Sequence, residues 1–274
     1  MNIVTSTNIS TTVSIGALIR HWRERRRMSQ LLLANEAEIS SRHLSFIETG
    51  RAAPSRAMVL RLAEYLQVPL RERNQLLTAA GYAPVYQQRP LEDPSMAPAR
   101  LAVEQVLKSH EPYPALAIDR HWNLVSANAA VASLIADAGP DPALLEQPVN
   151  VLRLSLHPRG LASKIVNLGQ WRRHLLERLD GQIRASGDEQ LMALRDELAS
   201  YPGASNDDQT NEGSFAIPFV LNTTAGRLSF ISTTLVFGTP VDVTLSELAI
   251  EIFFAADAAT AAGVETLRQA SHGR

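Results

Sequence analysis

A proline-dense stretch divides this sequence and limits its folding more than any other feature. The segment "APVYQQRPLEDPSMAP", residues 83–98, contains four prolines. Each proline lacks a backbone donor and disfavours the helical conformation of the residue before it. We therefore predict two domains joined by a linker at residues 83–98, a division that suits a chain of 274 residues.

The two sides of this segment differ in charge. Residues 14–89 carry 12 basic and 6 acidic side chains, whereas residues 90–274 carry 14 basic and 22 acidic ones. The formal net charge of -2 conceals this contrast. A basic first part favours a module that binds a polyanion such as nucleic acid, with a chance fluctuation as the alternative.

Composition excludes several classes of protein. The chain has no cysteine, which rules out disulfides, thiolate metal sites and cysteine nucleophiles. No apolar run approaches the length that crosses a bilayer, and "MNIVTSTNISTTVS" lacks the basic start and apolar core of a signal peptide. We expect a cytoplasmic protein without membrane contact, with a disordered lead at residues 1–13 and a tail at residues 265–274.

The apolar spacing of residues 14–82 predicts five short helices. We expect the first from about Ser14 to Arg27, the second after Ser29 as a cap, the third capped by Ser40 and ended by Gly50, the fourth after Ser55, and the fifth after Pro69 and ended by Gly81. The tight turn between the second and third helices, from Ala37 to Ser40, is typical of a helix-turn-helix. In that motif the second of the two helices enters the major groove of DNA.

The outward residues of the third helix suit base recognition. Arg42 can donate two hydrogen bonds to a guanine, and Phe46 can lie against a thymine methyl group. Alternatives remain: Arg42 could contact phosphate, Phe46 could pack on its own bundle, and the bundle could serve protein contact only. For four neighbouring arginines, phosphate steering or exposure to solvent is favoured over base reading; they are Arg20, Arg25, Arg26 and Arg27.

The stretch "LIRHWRERRRMSQLLLANEAEISSRHLSFIETGRAAPS" resembles the helix-turn-helix of Xre/Cro-type repressors. The resemblance implies that Ser41, Arg42 and Phe46 face bases, that Gln30 and Ser40 contact phosphates, and that Arg23 and Glu48 form an ion pair. His43 and Arg51 complete the candidate DNA-binding residues. Where the family often has a turn glycine this chain has Glu38, and a positive φ there would cost about 1 kcal/mol.

The second part mixes helical and strand patterns. "PALAIDRHWNLVSAN" predicts two strands, "SFAIPFVLNTTAGRLSFISTTLVFG" predicts a hairpin, and "LSELAIEIFFAAD" predicts one more strand. Helical spacing appears in "ARLAVEQVLKSH", in "AAVASLIAD" with Asn128 as its cap, around "VNVLRLSLHP", and in two amphipathic helices separated near Gly187. We predict a multi-domain chain: an all-α domain followed by an α+β domain with a mostly antiparallel sheet of about five strands.

Residues 14–263 as a whole resemble the MmyB-like transcription regulators. The runs "HPRGLASKIVN" and "FGTPVDVTLSELAIEIFFAAD" carry this resemblance, and Ala255 departs from it because the family often has proline there. The resemblance implies an Xre-type domain at residues 14–82 and a PAS-like ligand-binding domain at residues 99–264. It suggests a small, partly apolar and fatty-acid-like ligand.

A curved sheet covered by helices can enclose an apolar cavity. The candidate lining residues are Trp171, Leu175, Phe215, Ile217, Phe219, Phe230, Ile231 and Phe237, with ordinary core packing as the alternative for each. Candidate partners for an acidic head group are Arg153, His157, Arg159 and Arg172, with capping or surface roles as the alternative.

No catalytic motif stands out, and the seven histidines are not in metal-ligand spacing. We therefore expect a non-enzymatic protein without a cofactor, although turnover of a ligand is an alternative. The main hypothesis is a homodimeric transcription regulator that binds a double-stranded DNA operator and senses a small effector. The other is a DNA-binding regulator whose second domain serves only dimerisation or partner binding.

Overall fold

The computed structural model describes residues 13–202 and 216–272. The chain forms two compact units, residues 1–87 and residues 88–274, and the boundary falls within the predicted linker. Of the predicted lead, residues 1–12 lie outside the described part.

The proline-dense segment is more regular than its composition predicts. Within the first unit, the Asn74 amide accepts hydrogen bonds from the backbone of Val85 and Tyr86. Within the second unit, residues Pro94–Met96 form a 3-10 helix whose cap is the Asp93 side chain. Proline is compatible with the first turn of a helix, where its missing donor has no intrahelical partner.

Five helices make up the first unit over residues 13–87, as predicted. They are α1 (Ile15–Arg25), α2 (Gln30–Glu36), α3 (Ser41–Glu48), α4 (Arg56–Tyr65) and α5 (Leu70–Ala79). The serine before each of the first four helices accepts a hydrogen bond from a backbone N–H in the first turn, which confirms the predicted caps Ser29 and Ser40. The apolar faces of the helices meet in one core, in which Ile19, Leu44 and Leu62 are fully buried.

The turn between α2 and α3 is made by a residue other than glycine. Glu38 has a φ of 53° and lies in the left-handed region, and its side chain is exposed. The backbone N–H of Ile39 donates to the Ala34 carbonyl over 2.9 Å, which closes the end of α2. The turn therefore has the helix-turn-helix shape and carries the backbone strain expected for Glu38.

Gly16 sets the distance between α1 and α3. A Cβ atom on Gly16 would lie 2.4 Å from the Ile47 carbonyl oxygen and 2.8 Å from that of Glu48. Since both neighbours are backbone atoms, no side-chain rotation could relieve such a contact. Glycine at this position therefore lets α1 pack directly against the backbone at the C-terminal end of α3.

In the part of the second unit that the structure describes, five strands form one sheet with all neighbouring strands antiparallel, which confirms the predicted α+β fold. The strands are β1 (Ala115–Ile118), β2 (Leu124–Ala127), β3 (Phe219–Thr223), β4 (Gly226–Val236) and β5 (Ala249–Ala255). Their order in the sheet is β2-β1-β5-β4-β3.

Seven α-helices accompany the sheet in the described residues. They are α6 (Ala97–Ser109), α7 (Ala129–Ala138), α8 (Val151–Leu156), α9 (Leu168–Ser186), α10 (Glu189–Ser200), α11 (Val243–Ser246) and α12 (Ala258–His272). The prediction of one strand through "LSELAIEIFFAAD" is wrong at its start, because Asp242 caps α11 and the strand begins at Ala249.

Asn128 joins β1, α6 and α7 and is itself buried. Its side-chain oxygen accepts hydrogen bonds from the backbone N–H of Ala115 and of Val131, so the predicted cap of α7 is confirmed. Its amide group donates to the carbonyls of Leu107 and Tyr113.

The two faces of the sheet pack on different helices. On one face, Val103 and Leu107 of α6 pack against Ala115, Ala117 and Ile250. On the opposite face, α8, α9 and α10 cover side chains such as Leu221 and Phe230. The central strands β1 and β5 are therefore covered on both faces. The face that packs on α8, α9 and α10 also holds an apolar cavity.

Asp188 makes the stability of the second unit sensitive to acid. Its carboxylate binds Arg120 and lies 3.0 Å from His121 Nε2. Burial alone would raise the pKa of Asp188, but these hydrogen bonds outweigh burial and lower the pKa to about 2. The stabilisation is therefore complete above pH 3.8, the ordinary pKa of the group, and is lost as the pH falls towards 2.

We expect wild-type protein to lose about 2 kcal/mol more unfolding free energy between pH 5 and pH 2 than Asp188→Asn does. Urea denaturation at several pH values would measure this difference. Asp196→Asn, at an exposed aspartate of α10, the helix that Asp188 caps, serves as the control and should keep the wild-type dependence. If the unfolding free energies of wild type and Asp188→Asn changed equally with pH, Asp188 would not be the source of the acid sensitivity.

Candidate DNA-binding surface and ligand cavity

One face of α3 packs in the core and the other faces solvent. Leu44 and Ile47 are fully buried, whereas Ser41 and Arg42 are exposed and His43 is half-buried. The Ser40 hydroxyl oxygen accepts from the His43 backbone N–H over 3.1 Å, so it caps α3. This cap fixes the backbone at the start of α3, where small and polar side chains face solvent.

Phe46 contacts two arginines on this outer face. The guanidinium carbon of Arg42 lies 5.3 Å from the ring centroid of Phe46, and that of Arg51 lies 5.9 Å from it. Both distances are within the range of cation–π attraction. The Phe46 carbonyl also accepts from the Arg51 backbone N–H over 2.8 Å. These three residues form a surface with two positive charges beside one aromatic ring.

A buried ion pair holds α3 against α1. Arg23 Nε donates to Glu48 Oε1 over 2.6 Å, and Arg23 Nη2 donates to Oε2 over 2.9 Å, a bidentate pair. The Glu48 side chain is fully buried. Burial alone would raise the pKa of Glu48, but hydrogen bonds from Arg23 and Gln30 and the charge of Arg23 lower it. The carboxylate therefore stays charged and orients the end of α3.

Other candidate DNA contacts are engaged inside the unit. The Gln30 amide donates to Glu48 over 2.7 Å, and Arg20 lies 3.5 Å from the same carboxylate. Arg26 donates to the carbonyls of Leu66 and Gln67, the open end of α4. These side chains thus have structural partners within the unit. Whether they also contact phosphate stays a prediction.

A cavity of about 110 Å³ lies between the sheet and helices α7, α8 and α9. Its walls are almost entirely apolar. Of the lining residues predicted from sequence, Trp171, Leu175, Phe219 and Phe230 surround it, and the rings of Trp171 and Phe219 lie 4.8 Å apart. The Trp171 indole donates to the buried Ser155 hydroxyl oxygen over 3.0 Å, which leaves its ring facing the cavity.

The polar end of the cavity is formed by Arg178 of α9 and Glu251 of β5. Arg178 donates to Glu251 through Nη2 over 2.7 Å and through Nη1 over 3.2 Å. The Thr234 hydroxyl donates to the same carboxylate over 2.8 Å. The guanidinium also lies 4.8 Å from the ring centroid of Trp122. We call Arg178 and Glu251 the cavity pair.

Several predicted ligand residues lie elsewhere. Ile217 packs on the edge of the same core, and Phe237 packs with α6 on the opposite face of the sheet. Ile231 alternates with Phe230 along β4, so its side chain points to the other face. Arg172 donates to the carbonyls at the end of α10. Phe215 lies outside the described residues.

The predicted head-group residues are also paired away from the cavity. Arg153 binds Glu197 over 2.7 Å, and Arg159 binds Asp141. The His157 ring meets the ring of Tyr201 edge-on, with 5.0 Å between centroids. None of these three side chains lines the cavity.

Sequence reasoning missed the cavity pair, although one signal was present. In "AIEIFFA", Glu251 alternates with Ile250 and Ile252 and shares a strand face with Phe253. A charge at an inward position of a central strand requires a buried partner. The partner, Arg178, belongs to a helix 73 residues earlier, and no local pattern connects the two.

The described helices include none that is long and apolar enough to cross a membrane. Within residues 13–202 and 216–272, no group of three or more histidine, aspartate or glutamate side chains could hold a metal ion.

Comparison with known families agrees with this geometry. A family model described as the MmyB-like transcription regulator ligand binding domain matches residues 99–267. A second model, described as a helix-turn-helix domain, matches residues 14–76. No curated protein matches the chain. Because the first model covers more than half of the sequence, the chain belongs to the MmyB-like transcription regulators, with a DNA-binding helix-turn-helix domain followed by a ligand-binding domain.

Proposed function

We propose that this regulator binds one operator sequence in double-stranded DNA as a homodimer. We further propose that a small, fatty-acid-like molecule in the cavity changes its affinity for that operator. The observation that carries the proposal is an apolar cavity with one charged pair at its end, in the matched ligand-binding domain. The same chain has an exposed arginine beside a phenylalanine on the second helix of its helix-turn-helix.

The DNA-binding part of the proposal rests on the outer face of α3. A helix fits the major groove, where arginine recognises guanine through two hydrogen bonds and apolar groups contact the thymine methyl. Arg42 and Phe46 have these chemistries and lie in contact with each other. Helix-turn-helix proteins commonly bind two half-sites one DNA turn apart, which favours a homodimer.

The ligand part rests on the shape and chemistry of the cavity. Apolar walls and one polar end fit a molecule with an apolar body and a single polar group. The volume of about 110 Å³ is smaller than the ~150 Å³ cavity that accommodates benzene. An acyl chain of more than a few carbons, such as that of decanoic acid, therefore requires helices α7 to α9 to move outward on binding.

The test combines mass measurement with DNA binding. Native mass spectrometry of the full-length protein with hexanoic, decanoic and tetradecanoic acids would show a stoichiometric complex. Affinity for an operator selected from random DNA would then be measured with and without the bound acid. By linkage, the operator must change the affinity for the acid by the same factor.

We expect Leu175→Trp, which fills the cavity, to abolish both the complex and the effect of the acid on DNA affinity. Met192→Trp, at a solvent-exposed position of α10, is the matched control and should behave as wild type. Thermal melting of each variant would establish that it is folded. Unchanged acid binding by folded Leu175→Trp would contradict the cavity as the binding site.

A second function, dimerisation or partner binding alone, is favoured by a different observation. Val236 is 71% exposed and Val241 is 80% exposed, and Leu235 and Phe254 are also exposed apolar residues of the second unit. If Val236→Asp dissociates the protein in light scattering and no acid binds wild type, this function replaces the sensing one.

A further inference from the structure

We propose that the cavity pair binds the head group of the ligand and that a carboxylic acid enters together with one proton. Head groups with a permanent negative charge are then disfavoured. This inference rests on the proposed function and adds to it the chemical form in which the ligand is recognised.

The cavity pair is neutral as a unit. Arg178 contributes one positive charge and Glu251 one negative charge, and the two groups share two hydrogen bonds. They are the charged residues that line the cavity among those the structure describes. The polar end of the cavity therefore has no net charge, although the guanidinium of Arg178 offers several hydrogen-bond donors.

Glu251 cannot withdraw when a ligand arrives. It lies on β5 with Leu116 of β1 paired on one side and Thr234 of β4 on the other, and only 4% of it is exposed. The Thr234 hydroxyl holds the carboxylate from the side of β4. A ligand carboxylate that reaches Arg178 must therefore lie beside the Glu251 carboxylate.

Two carboxylates cannot both stay charged beside one guanidinium in apolar surroundings. Like charges at such distances favour uptake of a proton by one of the pair. The proton comes from solvent and ends between the ligand and Glu251, while Arg178 keeps its charge. One acid anion and one proton enter, so the net charge of the site does not change.

Other titratable groups near the carboxylate come from α9. His174 lies one turn before Arg178, and burial together with the charge of Arg178 lowers the pKa of its ring. Glu177 and Glu251 act on the same ring in the opposite direction. Strands β1 and β4 place Leu116 and Thr234 beside Glu251. His174 is thus the competing proton acceptor, and the experiment must separate it from Glu251.

The test is calorimetric titration of the full-length protein with decanoic acid at pH 8 in phosphate and in Tris. These buffers differ in ionisation heat, so the difference in binding heat gives the number of protons taken up. We expect about one proton for wild type and for His174→Gln, and about none for Glu251→Gln. Wild-type affinity should fall about tenfold for each unit of rising pH.

Two further ligands sharpen the result. Decan-1-ol should bind without proton uptake. Decanesulfonate, a permanent anion, should bind wild type at least about tenfold more weakly than decanoic acid does, and Glu251→Gln should remove this preference. Melting curves would show that Glu251→Gln, which keeps the shape of the side chain, is folded.

Three other outcomes would overturn the inference. Decanoic acid bound without proton uptake would overturn the inference and leave the proposed function standing. If proton uptake disappeared in His174→Gln, the proton would be assigned to the histidine, and this result would also overturn the inference. Binding of neither the acid nor the alcohol would overturn both the inference and the proposed ligand class.

Discussion

Replacing Glu48 by glutamine is expected to lower the unfolding free energy of the first unit by about 3–5 kcal/mol. The substitution keeps the side-chain shape but leaves the guanidinium of Arg23, whose side chain is only 10% exposed, without an opposite charge. It also weakens the contact with Gln30 that braces the start of α2. A unit of ordinary stability would have little left after such a loss.

The measurement is hydrogen exchange of the α1 and α3 amides in full-length protein, with urea denaturation alongside. Glu24→Gln is the matched control, because Glu24 lies 3.8 Å from the same arginine but its side chain is 63% exposed. It should change the free energy by less than about 0.5 kcal/mol. A loss below about 1 kcal/mol for Glu48→Gln would contradict the importance of the pair.

The same pair gives the first unit a defined pH dependence. The pKa of Glu48 lies below its ordinary value in the folded state. The stabilisation is therefore present above the unfolded pKa and is lost as the pH falls through the folded one. Replacing both partners with apolar residues, as in Arg23→Met with Glu48→Leu, should recover much of the loss, since no charge is then left buried.

Replacing Arg42 by alanine is expected to lower the affinity for the selected operator about 10- to 100-fold, while binding to random DNA changes much less. A bidentate contact to guanine contributes about 1–3 kcal/mol of discrimination, whereas phosphate contacts act equally on all sequences. Arg42 is exposed and lies against Phe46, which limits the freedom of its long side chain before DNA binds.

Fluorescence anisotropy with both DNAs at one stated salt concentration would measure the two affinities. The control is Arg56→Ala, at the exposed first residue of α4, which should weaken both DNAs by similar factors or leave both unchanged. An equal loss on operator and random DNA for Arg42→Ala would move Arg42 to the phosphate-contact class. Phe46→Ala should show a smaller loss of the same specific kind, since it removes the apolar support of Arg42 and Arg51.

The helices of the first unit could be predicted because their signals are local. Ser29, Ser40 and Ser55 each cap a helix within three residues of the amide they bind. The apolar spacing of α3 then determined which of its residues face outward. Glu38 shows the limit of this reasoning, since glutamate does not favour the positive φ found there, and only the family resemblance raised that conformation.

Two kinds of residue could not be assigned from sequence. Arginines look alike in a sequence, and Arg26, Arg153 and Arg172 proved to be bound to a helix end, to a glutamate and to another helix end. Aromatic residues in and beside strands also look alike, yet Phe230 in β4 and Phe237 just after it pack on opposite faces of one sheet. In both cases the partner is distant in the chain.

The amino-acid sequence by itself determined the division at the proline-dense segment, the five helices of the first unit, the antiparallel hairpins and the family. Capping, apolar period and turn chemistry act over a few residues, so each can be recognised in a short stretch. Only the tertiary structure decided that Arg178 meets Glu251 at the end of an apolar cavity. That contact depends on the register of β5 and on how α9 crosses the sheet, and these are properties of the packed chain rather than of any segment.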